Sequence, residues 1–368
     1  MRFRLQILIA ICSMLFLSCG GADNQFQGTI EEKDGVIIVQ NPKEPMYQED
    51  VFQLKEEITI GEREGREEYM FSNLSSMDID EDENIYIFDS RQAKIKVFDK
   101  MGNFIREIGK RGQGPGEFAF PWRIMISSKQ ELVVSDLIKR RLIFFSLTGE
   151  YKIDVPTWKQ GTLSNMMLDS SGKIVGEVYL QRIFALKKFN SDFEPIFTIE
   201  SFEREKIPLL ESLSPKFHYC ISKRDEIIWG HSGEYVINIL SFDGKLIKKI
   251  IKDFEFIRIK DEEYSEQVER KFGGRPIPLE FEQELPKFYP AFKSLSVDEK
   301  GRLFVCTFKK MSEGKEIYYD VFNSDGKYIA EISLRAKPQV WKSGNLYTIE
   351  ADEDGYQYVK RYKVTWNY

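Results

Sequence analysis

The stretch at residues 77–118, MDIDEDENIYIFDSRQAKIKVFDKMGNFIREIGKRGQGPGEF, constrains the chain more than any other. It holds one complete copy of a unit that recurs, in worn form, to the C-terminus. Residues 76–80 alternate and run into an acidic turn at 82–84. The segment Ile85–Asp89 (IYIFD) is an aliphatic and aromatic run, as a strand buried on both faces requires. Ile95, Val97 and Phe98 mark a third strand. A turn at 100–103 follows, where Gly102 can take positive φ, and Phe104, Ile105 and Ile108 mark a fourth strand. Four short antiparallel strands with tight turns cannot bury their apolar surface alone and need neighbours of the same kind. The unit reads as one blade of a β-propeller.

The number of blades follows from the repeat. Aligned on their second strands, six units begin at Ile85, Leu132, Ile174, Ile227, Leu303 and Leu346, in steps of 47, 42, 53, 76 and 43 residues. The turn between third and fourth strands recurs at 100–103, 147–150, 191–194, 242–245 and 324–327, and only the 191–194 copy lacks glycine. The sixth unit stops at Tyr368 after its third strand, while the strand-like run at 51–60 (VFQLKEEITI) is spare. One missing strand and one spare strand predict an all-β fold: a six-bladed β-propeller of four-stranded antiparallel blades, its ring closed by an N-terminal strand. The longest step holds a helical insertion near 261–290. Asp261 can cap a helix over 261–271, with Tyr264, Val268 and Phe272 at i, i+4 and i+8. Gly273 and Gly274 end it, and 278–288 reads as a second short helix. The alternative for this segment is a degenerate seventh blade, against which stand its Glu and Pro content and its lack of alternation.

The N-terminus carries a different signal. Arg2 and Arg4 precede an apolar run at 5–17, of signal-peptide length and too short to span a bilayer. The run closes as Phe16, Leu17, Ser18, Cys19, Gly20. Small residues around a cysteine there resemble a bacterial lipoprotein signal, with Cys19 as the lipidated first residue and Phe16 in place of the usual Leu. The expected organisation is a signal peptide at 1–18, a tether with a short strand (36–39) at 19–50, and the propeller at 51–368. Formal charge is −6 with no clustered basic stripe along the sequence, which argues against a nucleic-acid partner. With Cys12 in the signal and Cys19 lipidated, Cys220 and Cys306 remain. Both lie in strand-like runs; a disulfide is open to them in an oxidising compartment, and two buried thiols fit their surroundings better.

The signal, the D-x-x-x-x-I-Y-I-x-D pair from Asp80 to Asp89, the K-V-F-D-x-x-G-x-F run at 96–104 and GQGPGEF at 112–118 together resemble the six-bladed β-propeller lipoproteins of Bacteroidetes, which are similar to NHL-repeat propellers. The resemblance implies a cell-envelope protein of an anaerobic gut-type bacterium, lipid-anchored in the outer membrane on its periplasmic or surface side. It implies no settled activity. A more distant likeness to NHL-type lyases and gluconolactonase-like hydrolases implies a metal in the central channel.

Chain direction narrows the search for a site. Loops leading into each first strand, and loops between second and third strands, emerge on one face, here called the mouth. There the sequence puts Asp89, Arg91, Trp122, Arg123, Asp136, Arg140, Asn165, Arg182, His218 and His231 as candidate ligand-binding residues, with Asn73, Lys293 and Asp352 beside them. Asp89 and Asp136 end equivalent strands, so they either ring the mouth with carboxylates or cap their own turns. The arginines either pair on the surface or receive an anionic ligand such as an acidic sugar. Trp122 either stacks on a sugar ring or packs between blades. His218 and His231 are the only histidines, so a site with more than two imidazoles is excluded within one chain. A carboxylate-rich Ca²⁺ site stays open, although no EF-hand-like loop is present. No nucleophile motif, phosphate loop or dinucleotide fingerprint appears; GQGPGEF joins two strands and is not G-x-G-x-x-G. The first expectation is therefore a non-catalytic envelope propeller that binds a glycan, peptide or protein partner on the mouth. The second is a metal-dependent lactonase or lyase whose ligands come from Asp89, Asp136, Asn165 and His218.

Overall fold

One five-residue turn, used repeatedly, builds the blades. The computed structural model describes residues 25–48, 50–181, 183–203, 210, 213–272, 285–309 and 316–368. Between the third and fourth strands of the first blade, the Asp99 amide donates to the Asn103 carbonyl and Gly102 N–H donates to the Asp99 carbonyl. The Asp99 carboxylate accepts from the amides of Met101 and Asn103. Ser146, Asn190, Ser241 and Asn323 open the same turn in the next four blades. Its fourth residue takes positive φ, at Gly102 (85°), Gly149 (99°), Gly244 (90°) and Gly326 (90°). In the copy without glycine the position is Phe193, at φ 63°. Left-handed backbone costs a non-glycine residue about 1 kcal/mol, and the buried Phe193 ring offsets it by stacking on Phe189 at 4.3 Å.

The turns join six four-stranded antiparallel units. Blade one comprises Leu74–Ile79, Ile85–Asp89, Lys94–Phe98 and Phe104–Ile108. Blade two comprises Pro121–Ile126, Glu131–Asp136, Arg141–Ser146 and Tyr151–Pro156. Blade three comprises Thr162–Leu168, Ile174–Leu180, Ile183–Phe189 and Pro195–Glu203. Blade four comprises Phe217–Ile221, Ile227–His231, Val236–Leu240 and Leu246–Lys252. Blade five comprises Ser294–Val297, Leu303–Cys306, Ile317–Phe322 and Tyr328–Leu334. Blade six has Pro338–Lys342, Asn345–Ala351 and Gln357–Trp366. Three N-terminal strands are β1 (Thr29–Lys33), β2 (Val36–Asn41) and β3 (Phe52–Ile60). β3 lies antiparallel to Gln357–Trp366 and supplies the fourth strand of blade six, so the ring closes as the repeat predicts.

Each joint between neighbouring blades has its own apolar cluster. Tyr86, Phe88 and Ile95 of blade one meet Ile124, Leu132 and Val134 of blade two. Ile60, Tyr347 and Val359 of blade six meet Ile79, Ile85 and Ile87 of blade one across the closure. Burying a side chain of this size stabilises by about 1.5–3 kcal/mol, so the joints carry most of the apolar energy and the blades hold one another.

The N-terminal segment does more than close the ring. β1 and β2, read in the sequence as tether and one short strand, form a hairpin on the outer edge of blade four, with β2 parallel to Leu246–Lys252. The chain then crosses to blade five, where the amides of Met46 and Tyr47 donate to the carbonyls of Tyr328 and Ile329. Asn41 fastens the crossing. Its buried side-chain amide donates to the Gly326 and Ile251 carbonyls, and its oxygen accepts from the Tyr328 amide at 2.7 Å.

Among its described residues, the insertion between blades four and five holds one helix, α1 (Asp261–Phe272), as expected, and no further blade. Tyr264 and Val268 pack with Leu210, Ile259, Tyr289 and Phe308 over the mouth of those blades. The Phe272 side chain and most of the second expected helix lie outside the described residues. Cys220 and Cys306 are buried free thiols, and burial pushes the Cys220 thiol well above its ordinary value.

Candidate functional site

Strand register brings the predicted loops to one face: Leu74 pairs with Asp89, Pro121 with Asp136 and Phe217 with His231. The side chains there divide into three groups. Asp89 and Asp136 are 0% and 1% exposed and do not form a carboxylate ring. Asp89 accepts from the amides of Ser72, Asn73, Arg91 and Gln92. Asp136 accepts from those of Ala119, Phe120 and Lys139. Both carboxylates hold two loops in register and have no face left for a ligand.

A second group stands on the rim. Arg91 and Arg140 are exposed and lack an acidic partner among the described residues. Trp122 is 51% exposed; it is not wedged between blades, because its slot in the first strand points outward past a register shift at Pro121–Arg123. His231 is exposed beside the Phe217 ring, 5.2 Å away. Arg182 falls outside the described residues, as does Cys19.

The third group converges. Arg123, Asn165 and His218 line one cavity of about 340 Å³ at the channel mouth, together with Glu177, Lys216 and Lys293. That size suits a small ligand. Its walls include Tyr179, Phe184, Phe202, Phe217 and Tyr219. A bulge makes the polar corner. The register of Thr162–Leu168 against its neighbour slips between Ser164 and Met167, and Asn165 takes φ 46°. A bulge of this kind re-aims a side chain. Here the Asn165 amide donates to Glu177 Oε2 at 2.9 Å, and the Ser164 hydroxyl donates to the same oxygen at 3.1 Å.

Glu177 is 5% exposed, and burial raises its pKa against the lowering effects of Asn165, Ser164 and the Lys216 charge. His218 is held down to about 3, first by burial and then by Lys216, His231 and Lys337 nearby. It is a neutral imidazole, leaning on Phe292 at 5.5 Å. Lys293 lies over the Phe308 ring at 4.6 Å. The cavity thus offers three cations, one buried carboxylate and a neutral imidazole beside an aromatic wall.

Glu177 and Lys216 were not among the sequence candidates. The signal for Glu177 lay in the alignment: it occupies the second-strand slot held by Phe88 in blade one and Ser135 in blade two, and a charge inside a buried strand asks for a partner. Larger cavities of about 470 and 750 Å³ lie along the N-terminal crossing. The first is lined by Asp320, whose carboxylate is already occupied by Tyr235 and Tyr328 hydroxyls and by Lys252 at 3.0 Å. Along the same walls Lys43 pairs with Glu255 and Lys309 with Glu331.

Among the described residues no three His, Cys, Asp or Glu side chains cluster as a metal site. Of the four ligands foreseen for a metal, Asp89 and Asp136 are turned into their own loops, and only Asn165 and His218 share the cavity.

The fold and its mouth cavity define a six-bladed β-propeller with a small polar site at one end of the channel. Residues 32–171 match the DUF5128 family model, described as a 6-bladed β-propeller. Two solved structures are similar over most of the chain. A protein described as exported, from Bacteroides fragilis, is 11% identical with a TM-score of 0.56, covering 89% of this chain and 99% of its own. A DUF4221-family member from Bacteroides vulgatus is 13% identical with a TM-score of 0.51, covering 86% and 99%. Virginiamycin B lyase from Staphylococcus aureus covers 85% and 99% at 9% identity, and its TM-score of 0.43 carries no argument about activity. No curated protein matches the sequence.

Proposed function

We propose that the protein is a non-catalytic, envelope-tethered propeller that binds a small anionic saccharide, of the uronic acid class, in the mouth cavity. The tether is a lipid on Cys19, as the leader suggests, and the exported description of the Bacteroides fragilis structure is in keeping with it. One observation carries the ligand class: Arg123, Lys216 and Lys293 surround a cavity whose single carboxylate, Glu177, is buried and hydrogen-bonded. Cations hold the ligand's carboxylate, Glu177 and Asn165 accept from and donate to hydroxyls, and the aromatic wall covers the ring's apolar face. The lactonase or lyase reading would rest on Asn165, Glu177 and His218, and among the described residues no three His, Cys, Asp or Glu side chains cluster to hold its metal.

Melting of the purified chain with glucuronate, galacturonate or glucose tests this, because a ligand that binds only the folded state stabilises it by mass action. A rise with the uronates but not with glucose is expected, abolished by Arg123→Ala or Lys216→Ala. No rise, or a rise that both variants keep, overturns the reading. So does a rise with Ca²⁺ or Zn²⁺ that EDTA reverses, which favours the enzyme.

A further inference from the structure

The mouth of blades two and three carries an apolar rim that the cavity does not use. Ile138 is 68% exposed at the turn between second and third strands of blade two, and Trp158 is 57% exposed between blades two and three. Phe120, Trp122, Leu180 and Ile183 are also exposed. Backbone contacts make these one surface. The Leu137 amide donates to the Phe120 carbonyl, and the Thr157 amide donates to the Arg140 carbonyl. Gly161, at the end of the Trp158 turn, abuts the Tyr179 carbonyl so closely that a Cβ would lie 2.6 Å from it. Leu180 and Ile183 pair across the next turn. The apolar side chains therefore sit on the tips of four neighbouring loops, all at the same end of the ring.

The free charge about the blade two tips is cationic, while the exposed Glu203 lies across from Ile183 at the blade three end. Arg91, Arg140 and Lys159 have no acidic partner among the described residues. Arg111 donates to the Arg91 carbonyl, and Lys139 to the Glu117 carbonyl. The acids in these loops are engaged: Glu117 with Lys110 at 3.1 Å, Asp154 with Arg141, and Asp136 with backbone amides. On the far side of the mouth the order reverses, with Glu62, Glu67, Glu68, Asp352 and Asp354 in the loops about blade six. Aromatic and aliphatic tips ringed by unpaired Arg and Lys match the two layers of a bilayer surface. Indole and alkyl groups enter the interface, and cations remain with the headgroups.

We infer that the rim of blades two and three docks on a lipid bilayer bearing anionic headgroups, with Trp122, Ile138, Trp158 and Leu180 inserted and Arg91, Arg140 and Lys159 at the phosphates. This surface is separate from the cavity ligand, and neither needs the other. Its charge pattern selects a bilayer over a protein partner, because Arg91, Arg140 and Lys159, without acidic partners among the described residues, stand beside the exposed Trp122, Ile138, Trp158 and Leu180.

The test uses the full chain carrying Cys19→Ser, so that no acyl group attaches at that position, with vesicles of phosphatidylcholine alone or mixed with phosphatidylglycerol. Flotation and tryptophan emission report association. Binding to the anionic vesicles at least roughly tenfold tighter than to the neutral ones is expected, weakening as salt rises. Ile138→Asp or Trp158→Asp, both at exposed positions, should weaken it about tenfold, while Met101→Asp on the opposite face leaves it unchanged. Absence of binding to either vesicle, as expected for a rim that instead docks on a protein, overturns the inference. So does binding that the two rim variants retain, or that Met101→Asp removes.

Discussion

Glu177 and His218 sit in one cavity and respond to pH in opposite senses. Burial raises the Glu177 carboxyl above its ordinary value, so the folded state holds that proton more tightly than the unfolded chain. Its contribution to stability is greatest below the ordinary carboxylate range and is lost as pH rises through the raised value. Glu177→Gln should therefore raise the melting temperature by about 2–4 °C at pH 7 and leave it unchanged near pH 3–4, while weakening uronate binding. His218 is lowered to about 3, so its contribution is present above its ordinary value of 6.5 and is lost as pH falls toward 3. His218→Gln should flatten the acid limb of the melting curve between those values, measured against the unsubstituted chain in the same buffers. A chain that buries Glu177 accepts a destabilised cavity, as binding sites commonly do. At this scale the sequence was half legible. Residue types and chain direction brought Arg123, Asn165 and His218 to the right end of the ring. Which of them met depended on a bulge at Asn165 that no local signal announces, and Asp89 and Asp136 look the same in sequence whether they face a ligand or their own backbone.

The turn is the element whose chemistry was most readable. Its opening Asp, Asn or Ser and its glycine recur at fixed offsets, and the structure uses them as hydrogen-bond acceptors and as positive-φ positions. Two glycines separate backbone strain from packing. At Gly172, φ 76°, an added Cβ meets nothing within 4 Å. At Gly326, φ 90°, it lies 2.9 Å from Ile250 Cγ1 and 3.3 Å from Val39 Cγ2. Gly172→Ala should cost about 1 kcal/mol from conformation alone, and Gly326→Ala about 2–4 kcal/mol because the blade four edge must move as well. Denaturant titration of both variants checks the difference; equal costs would mean that the contact at Gly326 relaxes freely. The same packing explains why Asn41 escaped the sequence reading. It looks like a strand breaker next to Pro42, and its work as a three-way bridge exists only once blades four and five stand side by side.

Across the whole molecule, blade count and closure were legible because both are matters of counting: six second strands, five turns, one strand short and one strand spare. The hairpin of β1 and β2 was not, because a parallel pairing with a strand some 200 residues away leaves no periodic trace. The two N-terminal devices should differ when removed. Deleting residues 25–41 takes away the edge hairpin and Asn41 but leaves β3, so a folded ring with a lowered midpoint is expected. Deleting through residue 60 exposes Gln357–Trp366 and opens the joint between blades six and one, so cooperative unfolding should vanish. Calorimetry of the two truncations distinguishes them, and equal behaviour would place the closure elsewhere.

The placement of that hairpin also sets how the molecule carries load. A pull on the chain at residue 25 does not reach the closing strand directly. It must first strip β1 from β2, then β2 from the edge of blade four, and then break the Met46 and Tyr47 bonds to blade five. Only after these does tension arrive at β3. The segment works as a series of fuses, each of which must give before tension reaches the seam of the ring.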